Sequence, residues 1–191
     1  MVDKLISLSE NPNNGFYLYD HEKLAETILH NESIRQKTLL IGVSYALLDF
    51  AEKFPMKLKN TVVMETGGMK GRRDEIPKTA LHQKLKEAFG ITAVHSEYGM
   101  TELSTQFYSR LHEPKHPPPW SRVLIINPHT GKVAAPGEIG MIRVLDLANL
   151  WSSLCVQTED LGRAFDDGFE ILGRAANAEV RGCSLTAEDF R

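Results

Sequence analysis

The chain has 191 residues, 42% of them hydrophobic and 25% charged, with a formal net charge of −3. This is the balance of a globular protein long enough to bury a core without staples, and it offers no bulk charge for nucleic acid or an anionic membrane. Two cysteines, Cys155 and Cys183, do not make a disulfide framework; with no secretory signal in Met1–Glu10, the context reads as reducing and cytoplasmic. The longest largely apolar run, Thr38–Phe50, is broken by Gly42 and Ser44 and falls short of the roughly 20 residues of a membrane span.

In chain order, Asn11–Gly15 is a turn cluster, so the extreme N-terminus is expected to be a loop or loosely held. Asp20 can cap a helix over His21–His30 with Leu24, Ile28 and Leu29 on one face. Thr38–Gly42 reads as a buried strand, followed by a helix from a capping Ser44 to Phe54, where Pro55 stops it. Thr61–Glu65 is the next strand and runs into Gly67-Gly68. Ile76–Phe89 is the clearest helix, with Pro77 in its first turn, Leu81, Leu85, Ala88 and Phe89 in one stripe, and Gly90 as C-terminal cap. Ile91–Ser96 reads as a third strand. Alternating strands and helices predict a partly parallel sheet flanked by helices. Beyond the stiff His116–Pro119 connection the pattern changes to short strands at Arg122–Ile126, Ile139–Leu145, Val156–Glu159 and Phe169–Leu172. The expected fold class is therefore α/β over residues 1–112 and mostly antiparallel β over 120–191, packed together as a single incomplete domain spanning 1–191.

Three stretches carry chemistry. Glu65–Arg72 holds Gly67 and Gly68 after a strand, where backbone groups are open at the edge at which α/β sheets bind ligands. Glu97–Glu102 offers an aromatic face in Tyr98, close approach at Gly99, a hydroxyl in Thr101 and a carboxylate for Mg²⁺ in Glu102. In Thr158–Arg163 an aspartate, Asp160, can accept both hydroxyls of a ribose, and Arg174 of the later Gly173-Arg174 pair can add donors and charge. Each stretch alone also reads as an ordinary turn: a strand-to-helix turn, a motif end with Thr101 capping a following helix, and an acidic hairpin turn.

Together and in this order, they resemble the adenylate-forming superfamily, with its glycine loop, Tyr-Gly-x-Thr-Glu motif, ribose-binding aspartate and Gly-Arg pair leading to a hinge. Glu65–Arg73, Ser96–Tyr108 and Thr158–Leu185 look more closely like the acyl-protein synthetase (LuxE-type) branch, and the resemblance runs from about Gly15 to Leu185. It implies a fold like the later part of the large domain of those enzymes, with ATP and Mg²⁺ as cofactors and a carboxylic acid, expected to be a fatty acid, as substrate. Carried over, Gly67 and Gly68 line the adenine pocket beside Gly99, and Tyr98 stacks on adenine. Thr101 touches phosphates, Glu102 holds Mg²⁺, and Asp160 and Arg174 hold the ribose. The acyl group then passes to a thiol, with Cys183 as the candidate near the C-terminus and Arg181 favouring its thiolate. An acyl-transfer partner protein is implied as well. Cys155, inside an apolar run, reads as core. His95 reads as a packed histidine, and Lys70, Arg72 and Arg73 as a basic cluster facing phosphate or solvent.

The chain departs from the superfamily pattern in three places. Met1–Lys37 holds no Ser/Thr/Gly-rich phosphate loop, no lysine follows Lys132, and Glu159 stands where glycine is common. The chain therefore reads as the C-terminal part of such an enzyme. It is expected to fold but to adenylate poorly alone, with an exposed sheet face covered by a missing N-terminal half or by a homo-oligomer. Two other readings stand beside this one: a CoA ligase resembling phenylacetate-CoA ligase, and a non-catalytic nucleotide-binding or interaction module that keeps part of an ATP site.

Overall fold

The computed structural model describes residues 2–69, 72–74, 76–110 and 113–175. The first half runs α1 (Val2–Ser9), α2 (His21–Ser33), β1 (Thr38–Val43), α3 (Ser44–Lys53), β2 (Thr61–Thr66), α4 (Lys78–Phe89), β3 (His95–Tyr98) and β4 (Phe107–Arg110). The strands form a first sheet in the order β1-β2-β3-β4, parallel for the first three, with β4 antiparallel at the edge. The second half builds an all-antiparallel sheet from β5 (Ser121–Ile126), β6 (Gly140–Asp146), β7 (Cys155–Phe165) and β8 (Gly168–Arg174), in sequence order.

Local chemistry explains most element ends. The Asp20 side chain accepts from the Lys23 amide and starts α2. Gly90 ends α4 in a left-handed conformation at φ 61°, which a residue without Cβ adopts freely. The apolar stripe of α4 is as expected, with Leu81, Leu85 and Phe89 buried against Leu47, Leu48 and Phe50 of α3 and Val63 of β2. On α2 the buried face is Ala25 and Ile28 with Leu24 packed beside them, and Leu29 faces solvent at 53% exposure.

Several expectations are corrected. Residues 2–9 form a helix with no buried side chain rather than a loop. Ser44 does not cap α3, whose N-cap position is Val43; its hydroxyl reaches across to Glu65 Oε2 at 3.2 Å and Gly67 O at 3.1 Å. Pro77 is the N-cap of α4 rather than a first-turn residue. β3 begins at His95 because its register on β2 begins at Met64, so residues 91–94 approach as an irregular segment. No helix follows Thr101. The chain turns with Leu103 N on Met100 O and returns as β4 against β3. Asp160 stands inside β7 rather than at its end, and the turn falls at Asp166-Asp167. Cys155 opens β7 on the exposed side, so it is not a core residue.

The sheets meet on a shared core. Phe107 of β4 and Leu103 pack with Ile125, Ile142, Val144 and Phe169 of the second sheet. β6 buries Gly140, Ile142, Val144 and Asp146 in strict alternation, the period of a strand with one face inward. Beside Asp160, the β7–β8 register shifts between Leu161 and Gly162. A Cβ on Gly162 would stand 2.5 Å from Glu170 O and 2.9 Å from the Ile142 side chain. Gly162→Ala is therefore expected to destabilise the fold by about 1–3 kcal/mol through overpacking, read as a lower urea midpoint. An unchanged midpoint would mean that this close approach is not tight.

Candidate functional site

The first and second chemical stretches end adjacent parallel strands. Thr66 of β2 stands in register with Glu97 of β3, so Gly67-Gly68 and Tyr98-Gly99 leave the same edge of the first sheet side by side. Gly67 adopts φ 68°. The Thr66 hydroxyl donates to the buried Glu97 carboxylate. A Cβ on Gly99 would come within 2.6 Å of Glu97 Oε1 and 3.1 Å of Gln106 Cγ. Glycine at 99 thus leaves room for a carboxylate that Thr66 already holds in place.

The third stretch joins from the other sheet. The Tyr98 hydroxyl donates to Asp160 Oδ2 at 2.7 Å, and Arg174 Nε stands 3.5 Å from Asp160 Oδ1. Asp160 and Arg174 are cross-strand partners on β7 and β8, and Arg174 also reaches Glu159 Oε2 at 3.2 Å. The Tyr98 ring is wedged against Phe107 and Phe169, with centroids 6.2 and 6.3 Å away. Burial and then the Asp160 charge push the Tyr98 phenol well above its ordinary value, so it stays a neutral donor. Tyr98, Asp160 and Arg174 are therefore brought together. Gly67, Gly68 and Gly99 share their sheet edge.

Thr101 and Glu102 lie in the exposed turn after Gly99. That turn is held from behind by the end of β6. Asp146, wholly buried, accepts from Ser104 N at 3.1 Å, Thr105 N at 2.8 Å and the Thr105 hydroxyl at 2.7 Å. Asn149 Nδ2 donates to Glu102 O at 2.7 Å, and Trp120 Nε1 donates to Thr105 Oγ1 at 3.0 Å. Cys183 and Lys70 lie outside the described residues. Arg73 is not simply solvated: it pairs with Asp49 at 3.2 Å and Glu52 at 2.5 Å. The Arg72 guanidinium lies over the Tyr45 ring.

Beneath the site runs a buried charged cluster. Glu65, fully buried, faces Lys78 Nζ at 2.8 Å and His82 Nε2 at 3.5 Å. Burial alone would raise its pKa, but the neighbouring His82, the Lys78 charge and Ser96 more than offset this and hold it at about 2. Lys115 donates to Ser96 O, Ser96 Oγ and Ser109 Oγ at 2.9–3.1 Å, and its backbone pairs with Phe169 of β8. Burial, and then Lys78, push its amine down to about 7 against the raising pull of Glu65 and Glu97.

Sequence reading missed Lys115, hidden in a proline-rich connection, and the Asp146–Asn149 pair. One signal existed for Asp146: it falls in register with Ile142 and Val144 on the buried face of β6.

The fold of the two sheets is that of adenylate-forming enzymes. An ATP-bound structure of MatB from Rhodopseudomonas palustris aligns with a TM-score of 0.62 at 19% identity, covering 84% of this chain and 34% of that one. O-succinylbenzoate coenzyme A synthetase from Bacillus subtilis, in complex with ATP and magnesium, aligns at 0.55 and 22% identity, covering 83% and 36%. Residues 33–190 match the acyl-protein synthetase, LuxE, family, and the chain belongs to that family. It is 25% identical to the long-chain-fatty-acid–luciferin-component ligase of Aliivibrio fischeri, over 87% of this chain and 49% of that protein. The chain thus spans about half the length of the curated relative it matches. Among the described residues no helix is long and apolar enough to cross a membrane.

The Lys115 amine predicts a pH dependence. Unfolded, it titrates near the ordinary lysine value of about 10.4; folded, at about 7. Between those values the unfolded chain binds more protons, so this group's burden is full below about 7 and is relieved as pH rises toward about 10. Lys115→Met should remove that slope. Urea titrations across this window should show the variant-minus-parent stability difference falling with rising pH. A constant difference would mean that Lys115 is charged throughout.

Proposed function

We propose that this chain carries the nucleotide-facing part of a ligase that activates a carboxylic acid, of fatty-acid type, with ATP as an acyl adenylate and passes the acyl group to a thiol. The observation that carries the reading is the Tyr98–Asp160–Arg174 assembly, which joins the Tyr-Gly-x-Thr-Glu turn of one sheet to the acidic stretch of the other. Membership of the LuxE family and the long-chain-fatty-acid ligase relative support the acid class.

The residues fit the nucleotide. A carboxylate has about four acceptor positions; with Tyr98 on one oxygen and Arg174 beside the other, Asp160 keeps capacity for two ribose hydroxyls. Gly67 and Gly68 offer backbone without side chains to the adenine, with Gly99 and the Tyr98 ring on the adjacent strand. Among the described residues no group of three or more metal-binding side chains could cage a cation. Mg²⁺ needs no such cage, since it is usually held by one or two carboxylates plus phosphate oxygens and water. Glu102 would be that carboxylate and Thr101 would contact the phosphates; Mg²⁺ held there would supply charge compensation for the pyrophosphate.

In the reaction the substrate carboxylate bonds to the α-phosphorus as the bond to the bridging oxygen breaks, and pyrophosphate leaves with the electron pair. A thiolate then attacks the acyl carbon and AMP departs. Cys183 is the thiol of this reading. Thr101 and Glu102 serve the first step, while Asp160 and Arg174 hold the ribose through both.

Two measurements test this. A ligand at about a hundred times its dissociation constant stabilises by roughly 2.7 kcal/mol, so Mg-ATP or a non-hydrolysable acyl-AMP mimic should raise the melting midpoint by about 5–10 °C, and Asp160→Ala should abolish the shift. No shift with either ligand would sink the nucleotide reading. Preformed labelled acyl adenylate should leave a hydroxylamine-labile label on the chain that survives Cys155→Ala and is lost in Cys183→Ala. Label passing to added CoA with equal efficiency in Cys183→Ala would instead favour a CoA ligase.

A further inference from the structure

The structure assigns Asp146 and Asn149 as positioning residues that set the phosphate- and metal-facing turn Thr101-Glu102 from the second sheet, a role that rests on the ATP reading above. Within the turn, Leu103 N donates to Met100 O at 3.1 Å. The end of β6 and the residues just after it bind the turn from the second sheet. Asp146 faces only donors, with Ser104 N and Thr105 N on one oxygen and the Thr105 hydroxyl and Ala148 N on the other. Asn149 takes the carbonyl of Glu102 itself at 2.7 Å, and its own oxygen accepts from the Ser104 hydroxyl at 3.1 Å.

These bonds fix peptide planes rather than side chains. Holding Glu102 O, Ser104 N and Thr105 N fixes the three peptide planes that follow Glu102, and with them the backbone from which its side chain leaves. Both clamp residues are nine-tenths or more buried. The carboxylate of Glu102 itself has no hydrogen-bond or ion-pair partner among the described residues, so what the clamp holds is the backbone that carries it. Arg174, Asp160 and Tyr98 make no bond to Asp146 or Asn149. The clamp therefore acts on the metal and phosphate end of a bound nucleotide and leaves the ribose end alone.

That separation gives the test. Mg-ATP and adenosine affinities are measured by calorimetry for the chain, for Asp146→Asn and Asn149→Ala, and for Phe89→Leu as a control with its stability lost in the other core. In Asp146→Asn an amide NH₂ meets two backbone N–H groups or a hydroxyl and an N–H, and in Asn149→Ala the Glu102 carbonyl is released. Each is expected to weaken Mg-ATP about tenfold, the equivalent of one charge-assisted or well-placed hydrogen bond, while adenosine affinity stays within about twofold of the parent. Phe89→Leu should melt lower and keep both affinities. Parent-like Mg-ATP affinity in both clamp variants overturns the assignment while leaving the ATP reading intact. So does a parallel loss of adenosine and Mg-ATP, which a general loosening would give. A parent that binds neither ligand overturns the ATP reading and this one with it.

Discussion

Tyr98 leaves the last parallel strand of the first sheet and ends on Asp160 of the second. A phenol and a carboxylate at a largely dry junction must find partners, since a buried polar group left unpaired costs about 1–3 kcal/mol. Each satisfies the other here, and Arg174 supplies the compensating charge. The register of the two sheets is set by this contact together with the Phe107–Phe169 edge-to-face packing at 5.3 Å beside it. Apolar packing alone would tolerate sliding of one sheet over the other; a hydrogen bond at 2.7 Å does not.

The charged cluster below serves the same junction by other means. Glu65 is stabilised as an anion by Lys78, His82 and two hydroxyls from separate elements. Lys115 has neutral oxygens instead of a carboxylate within pairing distance among the described residues, and its depressed amine follows from that asymmetry. Two buried ionisable groups thus solve the same desolvation problem differently, one by gathering counter-charge and one by yielding its proton more readily.

Much of the first sheet was legible because its signals are local. Asp20 as cap, the α4 stripe, Gly90 as terminator and the apolar runs of β1 and β2 are read within a few residues. Three of the errors share a cause, since distant partners there overrode the local signal. Ser44 looked like a cap but serves Glu65. Thr101 looked like the start of a helix, yet Asp146 draws the following amides away from helical bonding. Asp160 looked like a turn residue and sits inside β7, where a register shift accommodates it. Of the candidate site, Tyr98, Asp160 and Arg174 come together in space, although nothing in their spacing required it. Asp146 and Lys115 carry no pattern beyond their own identity, apart from the inward phase of Asp146 on β6.

The distances along the chain between these partners bear on how the site comes into being. Tyr98 and Asp160 are 62 residues apart, and Thr105 and Asp146 are 41. The parallel strands of the first sheet pair over shorter separations, Thr38 with Thr61 and Met64 with His95. Loop closure must precede the contacts that reward it, and non-local pairings are the slow part of folding. The strand–helix–strand half of this chain can therefore take shape early while the second sheet is still finding its place. Tyr98, Asp160 and Arg174 meet only when that sheet docks. The Tyr98–Asp160–Arg174 assembly is therefore a late arrival in folding, and a nascent chain released before β7 and β8 would hold the Tyr-Gly-x-Thr-Glu turn, with Asp146 behind it, but neither Asp160 nor Arg174 for Tyr98 to meet.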